Sequence, residues 1–206
     1  ANYKKLFSEL DLPDRGTFLE IGCGTGRGTF PFVHSFNFDH YFITDGMGEF
    51  VEVAKANIAR VRETAPADYG VMTAEDIERF PKNHFSVVAL FACLHHVNDW
   101  RGFIATAGAR LAPGGVILMV EPTVEFQIHA GALLSGFLER AHLHGLELSE
   151  EQRNFVSRRI SAFTFLSARN VDKTGAEDKW SFRIDEVMRA GIDAGLVAHT
   201  FPGGDV

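Results

Sequence analysis

Cysteine is almost missing from this chain of 206 residues: Cys23 and Cys93 are the only two. Two cysteines cannot build a disulfide framework, and free thiols in a reducing, cytoplasmic compartment are expected. Long apolar runs are missing as well. No stretch reaches the roughly 18 apolar residues that a membrane span needs, so no membrane partner is expected. A surplus of cations is also lacking, with 20 lysines and arginines against 27 aspartates and glutamates and a formal charge of −7. Binding through phosphates needs clustered positive charge. Arg153, Arg158 and Arg159 are instead interleaved with Glu150 and Glu151, the pattern of a solvated helix face, so no nucleic-acid partner is expected. What remains is apolar material for one sizeable core, 46% of the chain against 23% charged, and too little length for two domains.

The most informative segment is Thr17 to Gly28, TFLEIGCGTGRG. An apolar run with Leu19 and Ile21 predicts a buried strand. Gly22, Cys23, Gly24 and Gly26 then form a turn in which glycine permits tight backbone angles and lets a ligand lie against bare main chain. A second strand, His40 to Thr44, ends in Asp45, about twenty positions beyond the glycines, where a carboxylate can accept both hydroxyls of a ribose. Dinucleotide sites carry G-x-G-x-x-G and direct a helix N-terminus at a pyrophosphate. Here the order is E-x-G-x-G-x-G, and Glu20 would repel a pyrophosphate. A carboxylate at that position suits a cationic nucleoside, and S-adenosylmethionine (SAM) carries both an ammonium and a sulfonium.

The segment resembles motif I of the class I SAM-dependent methyltransferases, in the small-molecule branch that carries LEIGCGTG. The resemblance extends from about Thr17 to Leu196. It implies SAM as cofactor, S-adenosylhomocysteine as product, and a ribose contact at Asp45, with Gly46 and Met47 near adenine. At the end of the third strand it implies adenine contacts from Asp76 and Ile77; an alternative register leaves Glu75 and Thr73 as candidates. The fourth strand, Phe85 to Phe91, resembles the family's FDVV strand, with Ser86 where an aspartate is common. Ala92 to Asp99 is similar to the LHHVxD segment, and Ala112-Pro113-Gly114-Gly115 to the LxPGG turn before a fifth strand, Val116 to Val120. By the same resemblance, Glu20 lies near the methionyl ammonium, Gly22, Gly24 and Gly26 cradle the ligand, and Phe91 and Ala92 flank the methionine portion.

Strands alternating with helical segments from 17 to 120 predict an α/β fold: a Rossmann-like, doubly wound, mostly parallel sheet with helices on both faces. A helical insertion follows the fifth strand at about 124–179, within a single domain of residues 1–206. Its stretches are Glu125 to His144 and Ser149 to Leu166, the latter opened by the capping box Ser149-Glu150-Glu151-Gln152. Phe126, Leu133, Leu134, Phe137, Leu138, Phe155, Phe163 and Phe165 predict an apolar stripe that docks the insertion and shapes an acceptor pocket. Ser181 is expected to cap a last helix, Phe182 to Ala194, ended by Gly195. Val197 to Phe201 predicts a sixth strand. A short helix over Asn2 to Leu10 and an abrupt end at Pro202-Gly203-Gly204 suggest a domain cut from a longer polypeptide, with its other domains as partners.

Methyl transfer needs alignment, exclusion of water and often a base. His95 and His96, after the fourth strand, are the candidate bases, and Glu121 at the tip of the fifth strand is placed to orient one of them or to bind substrate. The partner expected is a small organic acceptor, methylated on O, N or C. His129, His142 and His144, with Glu125 and Glu139, lack H-E-x-x-H or a cysteine pair, and no metal is expected. A nicotinamide oxidoreductase would want the dinucleotide glycine spacing, and a nucleic-acid base methyltransferase an N/D-P-P-Y/F tetrapeptide where Ala92-Cys93-Leu94-His95 stands. A SAM-binding regulatory domain without catalysis is the other alternative.

Overall fold

The computed structural model describes residues 12–13, 15–62, 65–168, 175 and 178–200. They fall into two units: residues 1–121 with 187–206, and residues 122–186.

The first unit is built on a five-stranded sheet of order β3-β2-β1-β4-β5, in which every pair is parallel. The strands are β1 (Thr17–Ile21), β2 (His40–Asp45), β3 (Ala67–Val71), β4 (Phe85–Phe91) and β5 (Leu111–Val120). The central strands β1 and β4 read as near-continuous apolar runs because both their faces are covered. On one face Phe18, Tyr41, Ile43, Val87 and Ala89 pack against Phe32 and Val33 of α1 (Thr29–Ser35) and Ala54 and Ile58 of α2 (Gly48–Ala59). Alternate residues Leu19, Ile21, Val88 and Leu90, also buried, point to the opposite face. There α3 (Trp100–Gly108), capped by Asp99 through Gly102 N, contributes buried Phe103, Ile104 and Ala107.

The chain runs outward from β1 to β2 and β3, then crosses back to β4. Strand order therefore reverses between β1 and β4, and the carboxyl ends of parallel strands on either side of such a reversal form a crevice for ligands. The glycine turn, Asp45, the segment after β4 and Glu121 all lie at these ends.

The second unit is a helical hairpin. α4 (Val124–Arg140) continues as a 3-10 turn over Ala141–His144, and α5 (Glu150–Ser167) returns antiparallel to it. Phe126 near the start of α4 meets Phe163 near the end of α5, ring centroids 6.0 Å apart. The predicted capping box is present, with Gln152 N donating to Ser149 Oγ and Ser149 N to Gln152 Oε1. The predicted apolar stripe is not a buried core within this pair: Phe126, Leu133, Phe137, Phe155 and Phe165 are exposed, since two helices can cover only the row each turns to the other.

Three further expectations need correction. β5 begins at Leu111, earlier than Val116, because the Pro-Gly-Gly step is taken into the strand as an irregularity in the β4–β5 register. Ser181 does not cap the last helix, α6 (Ile184–Asp193). Its hydroxyl is buried without a partner, and Phe182 pairs in parallel with Thr123, which holds the chain extended and delays the helix by two residues. Gly195 does end it, at φ +82°. Val197 to Thr200 form no strand; Phe201, like the proposed helix over Asn2 to Leu10, lies outside the described residues.

Candidate active site

Glu20 sits in the middle of the sheet and is fully buried. One carboxylate oxygen accepts the hydroxyl of Thr29 at the start of α1; the other, Oε1, is buried with no partner. Burial pushes this carboxyl up to about 8, against the Thr29 hydrogen bond, which favours the charged form, and with the nearby charge of Asp45 adding to the rise.

The turn that follows is held by the neighbouring strand. Cys23 N donates to Thr44 O at 2.9 Å, and Gly24 N donates to Asp45 Oδ2 at 2.8 Å. Asp45 Oδ1 accepts Met47 N at 2.9 Å. A carboxylate has about four lone-pair positions, so each oxygen keeps one acceptor position beyond its amide.

Gly22, Gly24 and Gly26 all have positive φ, at +75°, +51° and +82°, but they serve different ends. A β-carbon on Gly22 would stand 2.3 Å from Cys93 Sγ, and one on Gly26 would stand 3.3 Å from Ala54 Cα in α2. Only at Gly24 does the space open, with nothing within 4 Å. Two of the three glycines thus close the fold, and Gly24 leaves its backbone open.

At the end of β3 the preferred adenine residue finds other employment. Asp76 Oδ2 accepts Thr73 N and Oγ1 at 2.9 and 3.1 Å, while Oδ1 pairs with Arg79 at 2.9 Å. These bonds, led by the Thr73 amide, hold its carboxyl below the usual range. Ile77 is buried. Glu75 is exposed, and its charge reaches the Cys93 thiol.

Beyond β4, Phe91 stacks on Phe32 with centroids 5.6 Å apart, and Ala92 adopts a left-handed φ of +53°, an uncommon conformation for a residue with a β-carbon. This kink turns the chain into the short helical turn Leu94–His96. Glu121 organises it: Oε1 accepts the amides of Cys93 and Leu94 at 2.8 and 2.6 Å, and Oε2 lies 2.7 Å from His95 Nδ1. Acting as acceptor, the carboxylate fixes the proton of His95 on Nδ1 and puts the lone pair on Nε2. His96 is exposed, its ring centroid 4.0 Å from that of His95.

Burial, followed by the Glu20 charge for Cys23 and by the Glu121 charge for Cys93, pushes both thiols up to about 12. They remain neutral at ordinary pH and are poor nucleophiles.

Sequence reasoning missed Gly28 and Thr29. A β-carbon on Gly28 would lie 2.3 Å from Phe91 Cδ2 and 2.8 Å from Glu20 Oε1, and Thr29 supplies the one hydrogen bond to the Glu20 carboxylate among the described residues. The available signal was a glycine and a hydroxyl residue directly after the glycine turn, within reach of a strand carboxylate that needs a donor. The histidines of the second unit, His129, His142 and His144, are all exposed.

The residues present fit SAM. An unsatisfied buried carboxylate oxygen suits a cationic group, Gly24 leaves the backbone open, and Asp45 retains acceptor positions. A methyltransferase-domain family matches residues 19–117. The ubiquinone biosynthesis O-methyltransferase of Paramagnetospirillum magneticum is 31% identical over 102 residues, 50% of this chain and 39% of that one. Residues 19–117, just under half of the chain, are thus similar to methyltransferase domains. A polyketide synthase-nonribosomal peptide synthetase of Aspergillus clavatus is 31% identical over 123 residues, 57% of this chain and 3% of that protein. The chain thus spans well under half the length of these curated relatives. In fold it is similar to the Haloferax volcanii protein solved in complex with the Trm112 methyltransferase activator, with a TM-score of 0.65 and 17% identity over 99% of this chain and 73% of that one.

Proposed function

We propose that this domain methylates an O, N or C atom of a small organic acceptor, with His95 as the base. The observation that carries the base assignment is the 2.7 Å contact between His95 Nδ1 and Glu121 Oε2. The carboxylate fixes the orientation of this imidazole and offers a counter-charge for a proton taken from the acceptor. Two further amides on the same carboxylate keep it from following the ring when the ring moves.

Bound SAM supplies an electrophilic methyl group on a sulfonium. The chain's own residues hold the donor: Gly24 by open backbone, Asp45 by the ribose hydroxyls, and Glu20 by its unsatisfied oxygen toward the methionyl ammonium. Met47 and Gly46 border adenine, and Glu75 replaces Asp76 as the acid that addresses it, since the carboxylate of Asp76 is already engaged. Phe91 and Ala92 flank the methionine portion. His96 stands beside the base at the edge of the site.

A small acceptor is supported by the absence of a cationic surplus and by the relatives, one an O-methyltransferase of ubiquinone biosynthesis and another a polyketide synthase-nonribosomal peptide synthetase. The second also supports other domains of a longer polypeptide as partners. Two free cysteines support a cytoplasmic location; among the described residues no helix is long and apolar enough to cross a membrane. The test is calorimetry with SAM and S-adenosylhomocysteine, followed by mass spectrometry of phenolic, amine and β-keto thioester acceptors incubated with labelled SAM. A gain of one methyl group on one acceptor class, lost in His95→Ala with donor affinity intact, is the expected result. Absence of donor binding by the wild type sinks the reading.

A further inference from the structure

Resting on the donor reading above, we infer that binding of the donor expels a proton from Glu20, so that donor affinity in this domain is coupled to proton release. The geometry is specific. Glu20 is enclosed on all sides, with Oε1 buried and unpaired. Thr29, at the start of α1, donates its hydroxyl to it; Gly28, just before α1, lies so close that a β-carbon there would stand 2.8 Å from Oε1; and Cys23 after β1, Asp45 at the end of β2 and Cys93 after β4 are near enough to interact with it electrostatically. The charged neighbour that acts on it is Asp45, which is of the same sign. The two thiols stay neutral.

A carboxylate in such a place has a single hydroxyl, that of Thr29, against its lost hydration, with Oε1 left unpaired; burial raises the group to about 8, which favours the protonated form in the free protein. The methionyl ammonium of the ligand is the missing cation. Its arrival gives the charged form of Glu20 a partner, the carboxyl loses its proton to solvent, and the pair forms in a dry site where it is strong. The direction is diagnostic. The ligand's own amino group has an ordinary value of about 7.7–8.0, and binding it as ammonium takes protons up, whereas Glu20 releases one.

Titration calorimetry of the full chain with S-adenosylhomocysteine at pH 6.5, in phosphate and in imidazole buffers of unequal ionisation enthalpy, measures this directly. At that pH the ligand's ammonium is already formed. The wild type should release close to one proton per ligand bound, and Glu20→Gln, which keeps the size and the Thr29 contact, should release none. Equal enthalpies in both buffers, or the same release from the glutamine variant, overturn the coupling. Should that variant fail to fold, wild-type affinity between pH 6 and 7.5 decides: a rise of about tenfold per pH unit is expected, and a flat profile is fatal. Absence of ligand binding at every pH overturns the donor reading and the coupling with it.

Discussion

Glu121 binds His95 and the amides that precede it with one carboxylate: Oε2 is 2.7 Å from His95 Nδ1, and Oε1 is 2.8 and 2.6 Å from the amides of Cys93 and Leu94. The tip of β5 thereby sets both the path of the chain beyond β4 and the rotation of one imidazole. A histidine on a loop acquires the precision of the sheet.

Replacing Glu121 separates these two duties. Glu121→Ala leaves two amides and a ring nitrogen without their acceptor in a nearly closed site, a loss of about 2–4 kcal/mol, seen as a lower midpoint in thermal unfolding. Glu121→Gln keeps one acceptor oxygen and should fold. Its rate of methyl transfer should fall, because the ring of His95 loses the carboxylate that orients it. An unchanged rate would show that Glu121 is structural only.

The glycines of the turn should separate in the same fashion. Gly22→Ala drives a β-carbon to 2.3 Å from Cys93 Sγ at a φ of +75°, a combination of overpacking and strain costing about 2–5 kcal/mol. Gly24→Ala meets no atom within 4 Å and costs only the left-handed backbone, about 1–2 kcal/mol. The second variant should melt near the wild type yet bind S-adenosylhomocysteine at least tenfold more weakly; equal affinity would remove Gly24 from the donor site.

Asp45→Ala takes the acceptor from Gly24 N and Met47 N together and should destabilise the fold by about 1–3 kcal/mol. Donor affinity should fall by more than tenfold, because the ribose contact and the shape of the turn are lost at once. Calorimetry showing wild-type affinity would refute the placement of the ribose.

Without ligand, the domain should lose stability as pH rises. The carboxyl of Glu20 stands at about 8 in the folded chain against an ordinary 4.5, so between these values the native state binds more protons than the unfolded one, and unfolding becomes easier with increasing pH. Its contribution is fully present below pH 4.5 and is gone once pH has risen through 8. Chemical denaturation at a series of pH values should show this slope in the wild type and a flatter one in Glu20→Gln. Asp76 and Asp185 are shifted downward and act only in more acid solution.

The sheet was legible because buried parallel strands announce themselves as apolar runs: His40 to Asp45 and Phe85 to Phe91 fall where their sequences end in turn residues. The capping box at Ser149 was equally plain, since it depends on residues three apart. Ser181 deceived because capping is decided by a long-range pairing, Phe182 with Thr123, that no local window contains. The bond of Asp76 to Thr73 is local, between residues three apart, yet the spacing argument that offered Asp76 to adenine did not contain it. The Glu20–Thr29 contact and the three bonds of Glu121 link residues that only the folded sheet brings together.

The division of labour among the three glycines bears on descent. In a lineage that had given up the donor, selection on folding alone would preserve Gly22 against Cys93 and Gly26 against Ala54, while Gly24, facing nothing, would be held only by its left-handed backbone. On the proposed donor site, a relative that keeps the first and third glycines but has lost the second is expected to bind the donor weakly without losing its shape. The middle glycine is the one to inspect when functional members of such a lineage are sorted from pseudoenzymes.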